Sequence, residues 1–383
     1  MKLLHIADLH IGKRVNEFNM IEDQLYILKQ ILSIANQEKP DGILIAGDVY
    51  DKSQPSAEAV ELLDDFLTRL ILLGHPVFMI SGNHDSPERL GFGSRIMQKN
   101  GLYIAGVFNG HIQVQTLKDE HGTVNIYLLP YLKPAIVKPN FEENIESYND
   151  AVKTVISATK IDNSQRNVLL AHQFVTNGMQ QPDRSDSESI SVGGSDNVDA
   201  SIFESFDYVA LGHLHGPQKI GRDTIRYAGS PLKYSFSEAK HSKSATLLEL
   251  GPKGDICISL IPLVPMHDVR EIKGPIAELL RIGREDQEGL EDYIHATLTD
   301  EDDIFDAIGQ LREVYPNLMA LDFENSRSRQ AAISQATASR DVAQKSPIEL
   351  FAELYKIQNN NELSANQALV LERIFVQAGG SEL

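Results

Sequence analysis

Five short stretches of the chain concentrate carboxylate, amide and imidazole groups. They are Asp8-Leu9-His10, Gly47-Asp48-Val49-Tyr50-Asp51, Gly82-Asn83-His84-Asp85, a lone His172, and Gly212-His213-Leu214-His215. Each stands at the end of an apolar run of strand-like composition, and open α/β sheets place their sites at the carboxyl ends of strands. Singly, each has an ordinary explanation. Asp-x-His is frequent by chance, Gly-Asn is usually a turn, and a solitary histidine is usually a satisfied core residue. Five such groups at the same end of their strands are not an ordinary coincidence. The donors include no thiolate, so they suit Mn²⁺, Fe²⁺ or Zn²⁺ rather than a structural zinc. Seven side chains (Asp8, His10, Asp48, Asn83, His172, His213 and His215) fit two ions that share Asp48 as a bridge. Two ions about 3.5–4 Å apart activate a water and stabilise both oxygens of an in-line displacement at phosphorus.

Strands are expected at 2–8, 42–48, 76–82, 125–131, 167–173, 208–213, 225–230, 245–250 and 256–261. Two amphipathic helices separate the first three. One carries Ile21, Leu25, Leu28, Leu32 and Ala35 on a face; the other carries Leu62, Leu63, Phe66, Leu67 and Leu70 and ends at Gly74 and Pro76. Strand–helix–strand units imply parallel pairing with helices on the sheet. The later strands, with no helices between them, imply a mixed sheet or a second sheet layer. The class expected is therefore α/β, with one such domain over 1–263 and a small α/β unit over 264–325. A polar linker over 326–345 and a helical tail over 346–383 complete the chain. The tail opens with a capping box, Ser346-Pro347-Ile348-Glu349, and has a second at Ser364-Ala365-Asn366-Gln367. The polar, turn-rich stretch 176–200 reads as a long surface loop of the functional or mobile kind.

Composition narrows the partners. A net charge of −19 excludes a free-standing protein that grips nucleic acid by bulk electrostatics. A polyanionic substrate would need metals, local basic groups or a partner; Lys13, Arg14, Arg89 and Lys233 are the candidates for phosphate contact. The single cysteine, Cys257, is expected to be a buried strand thiol, with no disulfide framework. No stretch approaches the roughly 20 apolar residues of a membrane span, and His5 and Asp8 interrupt the N-terminal apolar run where a signal peptide would be uniform. A cytoplasmic protein is expected.

In order along the chain, the motifs D-x-H, G-D-x-x-D, G-N-H-D, a lone H and G-H-x-H resemble those of the calcineurin-like metallophosphoesterases. That resemblance implies a sandwich of mixed β-sheets flanked by helices, with one ion on Asp8, His10, Asp48 and His215 and another on Asp48, Asn83, His172 and His213. It also implies that His84 faces the scissile phosphate, stabilising the transition state or protonating the leaving oxygen. Asp51 is the first choice for a carboxylate that holds His84. Asp85 is the second, against its simpler role as a helix cap before SPERLGF.

Longer segments, among them LIAGDVYDKSQPSAEAV, FMISGNHDSPERL and RYAGSPLKYSFSEAKHSKSATLLEL, resemble the SbcD family of bacterial nuclease subunits. This finer resemblance implies Mn²⁺-dependent cleavage of DNA: 3′-to-5′ exonuclease action on duplex ends and endonuclease opening of hairpins or blocked ends. It further implies that the small α/β unit caps the site and orients DNA, and that the tail binds an SbcC-like SMC ATPase. The nuclease subunits would form a homodimer within a heterotetramer, nucleoid-associated in the cytoplasm. The competing expectation is a small-molecule or phosphoprotein phosphatase built on the same centre.

Overall fold

The computed structural model describes residues 1–178, 181–188, 196–285 and 289–326, and within the tail residues 350–352, 355, 363–364, 367–368, 370–371 and 374. The expected linker beyond Ser326 and the first capping box lie outside the described residues.

Two six-stranded sheets face each other. The first runs, edge to edge, Ile256–Pro262, Ser244–Leu250, Lys2–Ile6, Gly42–Ala46, Val77–Ile80, Leu102–Ala105. Its last four strands pair in parallel, and Ser244–Leu250 joins Lys2–Ile6 antiparallel. The second runs Gln218–Ile220, Arg222–Tyr227, Tyr208–Gly212, Arg166–His172, Gly122–Leu129, Gln113–Asp119. Its four inner strands are parallel.

The central strands are apolar on both faces, as a sheet covered on both sides requires. Leu3, Leu44, Phe78 and Ile80 of the first sheet meet Ile126, Leu128, Val168, Leu170 and Tyr208 of the second in an apolar inter-sheet core. The alternate residues Leu4, Ile43, Ile45, Val77 and Met79 pack under the helices Ile21–Glu38 and Ala57–Leu72. Leu169, Ala171, Val209 and Leu211 pack on the opposite outside, under the helix Tyr148–Ser157. The order is helices, sheet, sheet, helix.

Ser56 caps the second helix by accepting from Ala59 N at 3.2 Å, and Gly74, with φ of 87°, carries the chain out of it. Its fully buried Phe66 contributes about 1.5–3 kcal/mol. The first helix sits a little rotated from expectation. Ile27, Leu28, Ile31, Ile34 and Ala35 are buried and Leu25 is exposed, because the polar Asp23 and Gln24 take the inward positions near its start.

Residues beyond Val264 build a separate three-stranded parallel sheet, ordered Val269–Gly274, Tyr293–Leu298, Leu318–Phe323, with the helices Ile276–Glu285 and Ala307–Arg312. It has its own apolar cluster around Leu279, Ile294, Leu298 and Leu311. Polar contacts tie it to the sandwich. Asp23 accepts from Tyr293 Oη at 2.7 Å and pairs with His267 Nδ1 at 3.0 Å, and Lys233 pairs with Asp268 at 2.8 Å. The Phe236 and His295 rings lie 5.0 Å apart. In the tail, Ser364 and Gln367 form the expected reciprocal cap: Gln367 Oε1 accepts from Ser364 N at 2.9 Å, and Gln367 N donates to Ser364 Oγ at 3.4 Å.

Two expectations fail. Cys257 is exposed, because its strand is the open edge of the first sheet and alternates between core and solvent. The stretch 176–200 is not simply surface. Asn197–Asp199 pairs in parallel with Phe174–Thr176, and Ser185 and Glu188 are buried.

Candidate metal centre

The strands Lys2–Ile6, Gly42–Ala46, Val77–Ile80, Arg166–His172 and Tyr208–Gly212 end together, and the loops that follow them turn back over the gap between the two sheets. The turns are tight. Among the described residues, Asp8, His10, Asp48 and His213 have φ of 53°, 44°, 47° and 107°. Such backbone costs on the order of 1–3 kcal/mol per residue and collects where function demands it. The glycines in the motifs are there for approach. A Cβ on Gly82 would lie 2.2 Å from Asp48 Oδ1, and one on Gly212 would lie 2.0 Å from Ala46 O.

All seven expected ligands meet here. Asp8, His10, Asp48, His172, His213 and His215 are buried, and Asn83 is half-buried. Asp48 Oδ2 lies 3.3 Å from His172 Nε2 and 3.7 Å from His10 Nε2, so it stands between two groups of donors. On one side His10 Nε2 and His215 Nε2 are 3.1 Å apart, with Asp8 close by. On the other, Asn83 Oδ1 is 3.0 Å from His172 Nε2 and 2.9 Å from His213 Nδ1. Asp8 also accepts from His213 N at 2.9 Å, which locks the first loop to the last.

The donor chemistry calls for cations. His172 Nδ1 faces the carbonyl of Ala46 at 2.8 Å, a pure acceptor, so the neutral ring turns its Nε2 lone pair toward Asn83 Oδ1 and Asp48. His215 Nδ1 faces Ser187 Oγ at 2.7 Å and Glu238 Oε1 at 3.3 Å, which leaves its Nε2 lone pair toward His10. Lone pairs aimed at lone pairs in a buried site repel unless a positive ion or a proton lies between them.

The proton affinities of these groups reflect the same crowding. Burial drives Asp8 well above the usual carboxylate range. Burial also opposes the charge on Asp48, but the surrounding histidines outweigh it and hold that carboxyl low. Burial works against a proton on His172 too; Asp48 and Asp8 prevail and raise the ring to about 9. Burial pushes His213 down to about 3 and His215 to about 4.

His84 stands at the rim, half-buried, its ring 4.8 Å from that of His10. Its backbone N–H donates to Asp48 Oδ1 at 2.8 Å and its Nδ1 lies 2.9 Å from the backbone carbonyl of Asp51. Asp51 thus meets His84 through the main chain. Its carboxylate pairs with Lys13 at 2.8 Å and lies 3.5 Å from His10 Nδ1. Asp85 does not cap the next helix. Buried, it accepts from the backbone N–H groups of Val49 (3.1 Å), Tyr50 (2.9 Å) and Gly82 (2.9 Å), stapling two motif loops together. Each of the four basic candidates is held by protein groups: Lys13 by Asp51, Arg14 by Glu17 O, Arg89 by Ser53 O and Lys233 by Ala239 O and Asp268.

Sequence reasoning missed Gln24, Ser187, Glu188, Tyr234, Glu238 and Lys243. Gln24 Nε2 donates to His10 O at 2.7 Å, and Gly12 N donates to Gln24 Oε1 at 2.9 Å. Tyr234 Oη donates to Leu9 O at 2.5 Å. Glu188 accepts from His215 N at 2.7 Å, and burial raises its carboxyl to about 7. The one signal available was the segment RYAGSPLKYSFSEAKHSKSATLLEL, which lies beyond every ligand motif yet holds Tyr234, Glu238 and Lys243.

A two-sheet sandwich with this donor cluster defines a metal-dependent phosphoesterase, and residues 1–217 match the family described as calcineurin-like phosphoesterase. The chain belongs to this family, in its SbcD branch: over 328 residues it is 37% identical to the SbcD subunit of the SbcCD nuclease of Staphylococcus epidermidis, covering 84% of this chain and 85% of that protein. Residues 265–359 match a second family, described as type 5 capsule protein repressor C-terminal domain. Among solved structures, a dimetal phosphatase from Danio rerio aligns at 12% identity over 69% of this chain and 96% of its own, with a TM-score of 0.42. TT1561 of Thermus thermophilus aligns at 12% identity over 68% and 98%, with a TM-score of 0.40. Among the described residues, no helix is long and apolar enough to cross a membrane.

Proposed function

We propose that the protein is a manganese-dependent DNA nuclease. It would remove nucleotides 3′-to-5′ from duplex ends, open hairpins and blocked ends, and work as a subunit beside an SbcC-like SMC ATPase in DNA repair and recombination. The observation that carries the reading is the paired donor set around Asp48 with His84 at its rim, in a chain whose relative is named as part of a nuclease. Asp8, His10, Asp48 and His215 would hold one ion, and Asp48, Asn83, His172 and His213 the other. Bound there, the ions supply an activated water and charge stabilisation at the phosphoryl oxygens.

The chain's own residues do the rest. Asp48 fixes the backbone of His84, and the Asp51 carbonyl accepts from His84 Nδ1–H, which aims the opposite edge of the ring. From there a protonated ring donates to the scissile phosphate or delivers a proton to the leaving oxygen as its bond to phosphorus breaks. Manganese suits the mixed oxygen and imidazole donors; Fe²⁺ or Zn²⁺ would fit them too. The acidic chain, with Lys13 and Lys233 already paired to carboxylates, fits a subunit that takes duplex affinity from its partner and homodimer. The unit beyond Val264, joined to the sandwich through Lys233–Asp268 and Phe236–His295, would orient the duplex, and the tail would dock the ATPase.

The test is cleavage of an end-labelled hairpin duplex by wild type and His84→Gln, with and without Mn²⁺. Metal-dependent cutting that is lost in the variant, with ion uptake retained, supports the reading. Mn²⁺-dependent hydrolysis of a small phosphodiester with no cutting of DNA would keep the centre and reject the substrate.

A further inference from the structure

The segment 226–250 contributes no ligand to the centre, yet it is wrapped around one side of it. Glu238 is wholly buried, and its two oxygens do different things. Oε2 receives the Lys243 ammonium at 2.5 Å. Oε1 accepts from Ser187 Oγ at 2.5 Å, Ser235 Oγ at 3.1 Å and Tyr234 N at 3.2 Å, and it lies 3.3 Å from His215 Nδ1. Lys243, itself buried, also donates to the His215 carbonyl at 2.9 Å and to Ser230 Oγ at 2.9 Å. The buried Lys243 ammonium on Oε2 supplies the counter-charge that a carboxylate at this depth requires.

An ionised carboxylate only accepts. Ser187 spends its one hydroxyl proton on it and must therefore accept from His215 Nδ1–H. The tautomer of His215 is fixed by this chain of bonds, a negative charge lies behind its ring, and Nε2 is left bare toward the centre. His172 has no such backing: its Nδ1 meets the neutral Ala46 carbonyl. A carboxylate behind a ligating imidazole raises its basicity and fixes its direction.

We propose that Glu238, fixed by Lys243 and relayed through Ser187, is the positioning residue for His215, so that its loss weakens one ion of the pair and spares the other. This rests on reading the centre as a two-ion site.

The experiment is titration of the ion-free full-length protein with Mn²⁺, followed by calorimetry and by electron paramagnetic resonance, which separates a coupled pair from an isolated ion. Wild type takes up two ions. His215→Gln marks the loss of the ion on that side. Glu238→Gln keeps one ion at wild-type affinity and binds the other about 10–100-fold more weakly. Because that variant strands the Lys243 charge in the interior, Glu238→Gln with Lys243→Met removes both charges and gives the same selective loss in a chain without a buried unpaired ion. Ser187→Ala removes no charge from a half-buried loop and weakens the same ion by a smaller factor.

Two-ion binding at wild-type affinity in the Glu238 variants, while His215→Gln loses one ion, overturns the proposal. So does equal weakening of both ions in the folded double variant, which is what a merely structural cluster would give. A wild type that never binds two ions, or a His215→Gln that keeps both, instead overturns the underlying reading of the centre.

Discussion

His172 and His215 stand at the ends of neighbouring parallel strands of one sheet, the first within its strand and the second in the loop that follows, yet they are held by different parts of the molecule. His172 closes its strand and reaches across the sandwich to the carbonyl of Ala46, the last residue of a strand in the opposite sheet. The packing of the two sheets is enough to place it. His215 lies three residues beyond its strand and is placed by side chains from a loop and from a later segment, Ser187, Glu238 and Lys243. His10, on the same side, is steadied through its main chain by Gln24 and, next door at Leu9, by Tyr234. One side of the centre is therefore a product of the fold. The other is a product of individual polar contacts, and it can be altered without touching the sheets.

The strongest way to break the comparison is Asp48→Asn. Asp48 Oδ2 lies within 3.7 Å of ring nitrogens on both sides. Both ions should weaken together, and phosphodiester hydrolysis should fall by about a thousandfold or more, since the ions supply several kcal/mol at the transition state. Loss of a single ion in the titration would show that the two sides do not share a bridge.

His84→Gln separates chemistry from ion binding. Both sides should keep their ions while cleavage falls by about 10²–10⁴-fold, the range for removing a positioned proton donor. Single-turnover cleavage beside an ion titration decides it, and ion loss in this variant would make His84 a ligand.

Asp85→Ala attacks the side that the fold builds. It leaves the N–H groups of Val49, Tyr50 and Gly82 without their acceptor, at about 1–3 kcal/mol for each that water does not reach. Denaturant unfolding of the ion-free protein should show a destabilisation of about 3 kcal/mol or more. A midpoint like that of wild type would mean that the staple is not needed.

The smallest effect is expected from Asp51→Asn. His84 rests on the Asp51 backbone carbonyl, which the substitution keeps, so cleavage should fall far less than in His84→Gln. An equal loss in a kinetic comparison of the two variants would restore the carboxylate to a catalytic part.

The difference between the two sides is also the difference between what could and could not be read in the sequence. Strand ends are legible because apolar runs such as GILIA stop at a glycine, and the candidate donors follow within a few residues. The seven donors announce themselves by type and order. Glu238 does not, because a fully buried glutamate in SFSEAKHSK has the same letters as a solvated one, and only its distance to Lys243 and His215 tells them apart. Ser187 and Glu188 were hidden in the same way, inside a stretch whose composition is that of a surface loop. The supporting role of Asp51 was misjudged because a main-chain carbonyl leaves no trace in residue type, and that of Asp85 because an acidic residue before Ser-Pro-Glu looks like a cap. Cys257 was placed inside because alternation does not say which sheet edge is open.

The most direct measurement on the centre is anomalous diffraction at the manganese edge from crystals grown with Mn²⁺. The account predicts two peaks about 3.5–4 Å apart on either side of Asp48, one touching Asp8, His10 and His215 and the other Asn83, His172 and His213. A single peak, or a pair that leaves Asp48 outside, would contradict it.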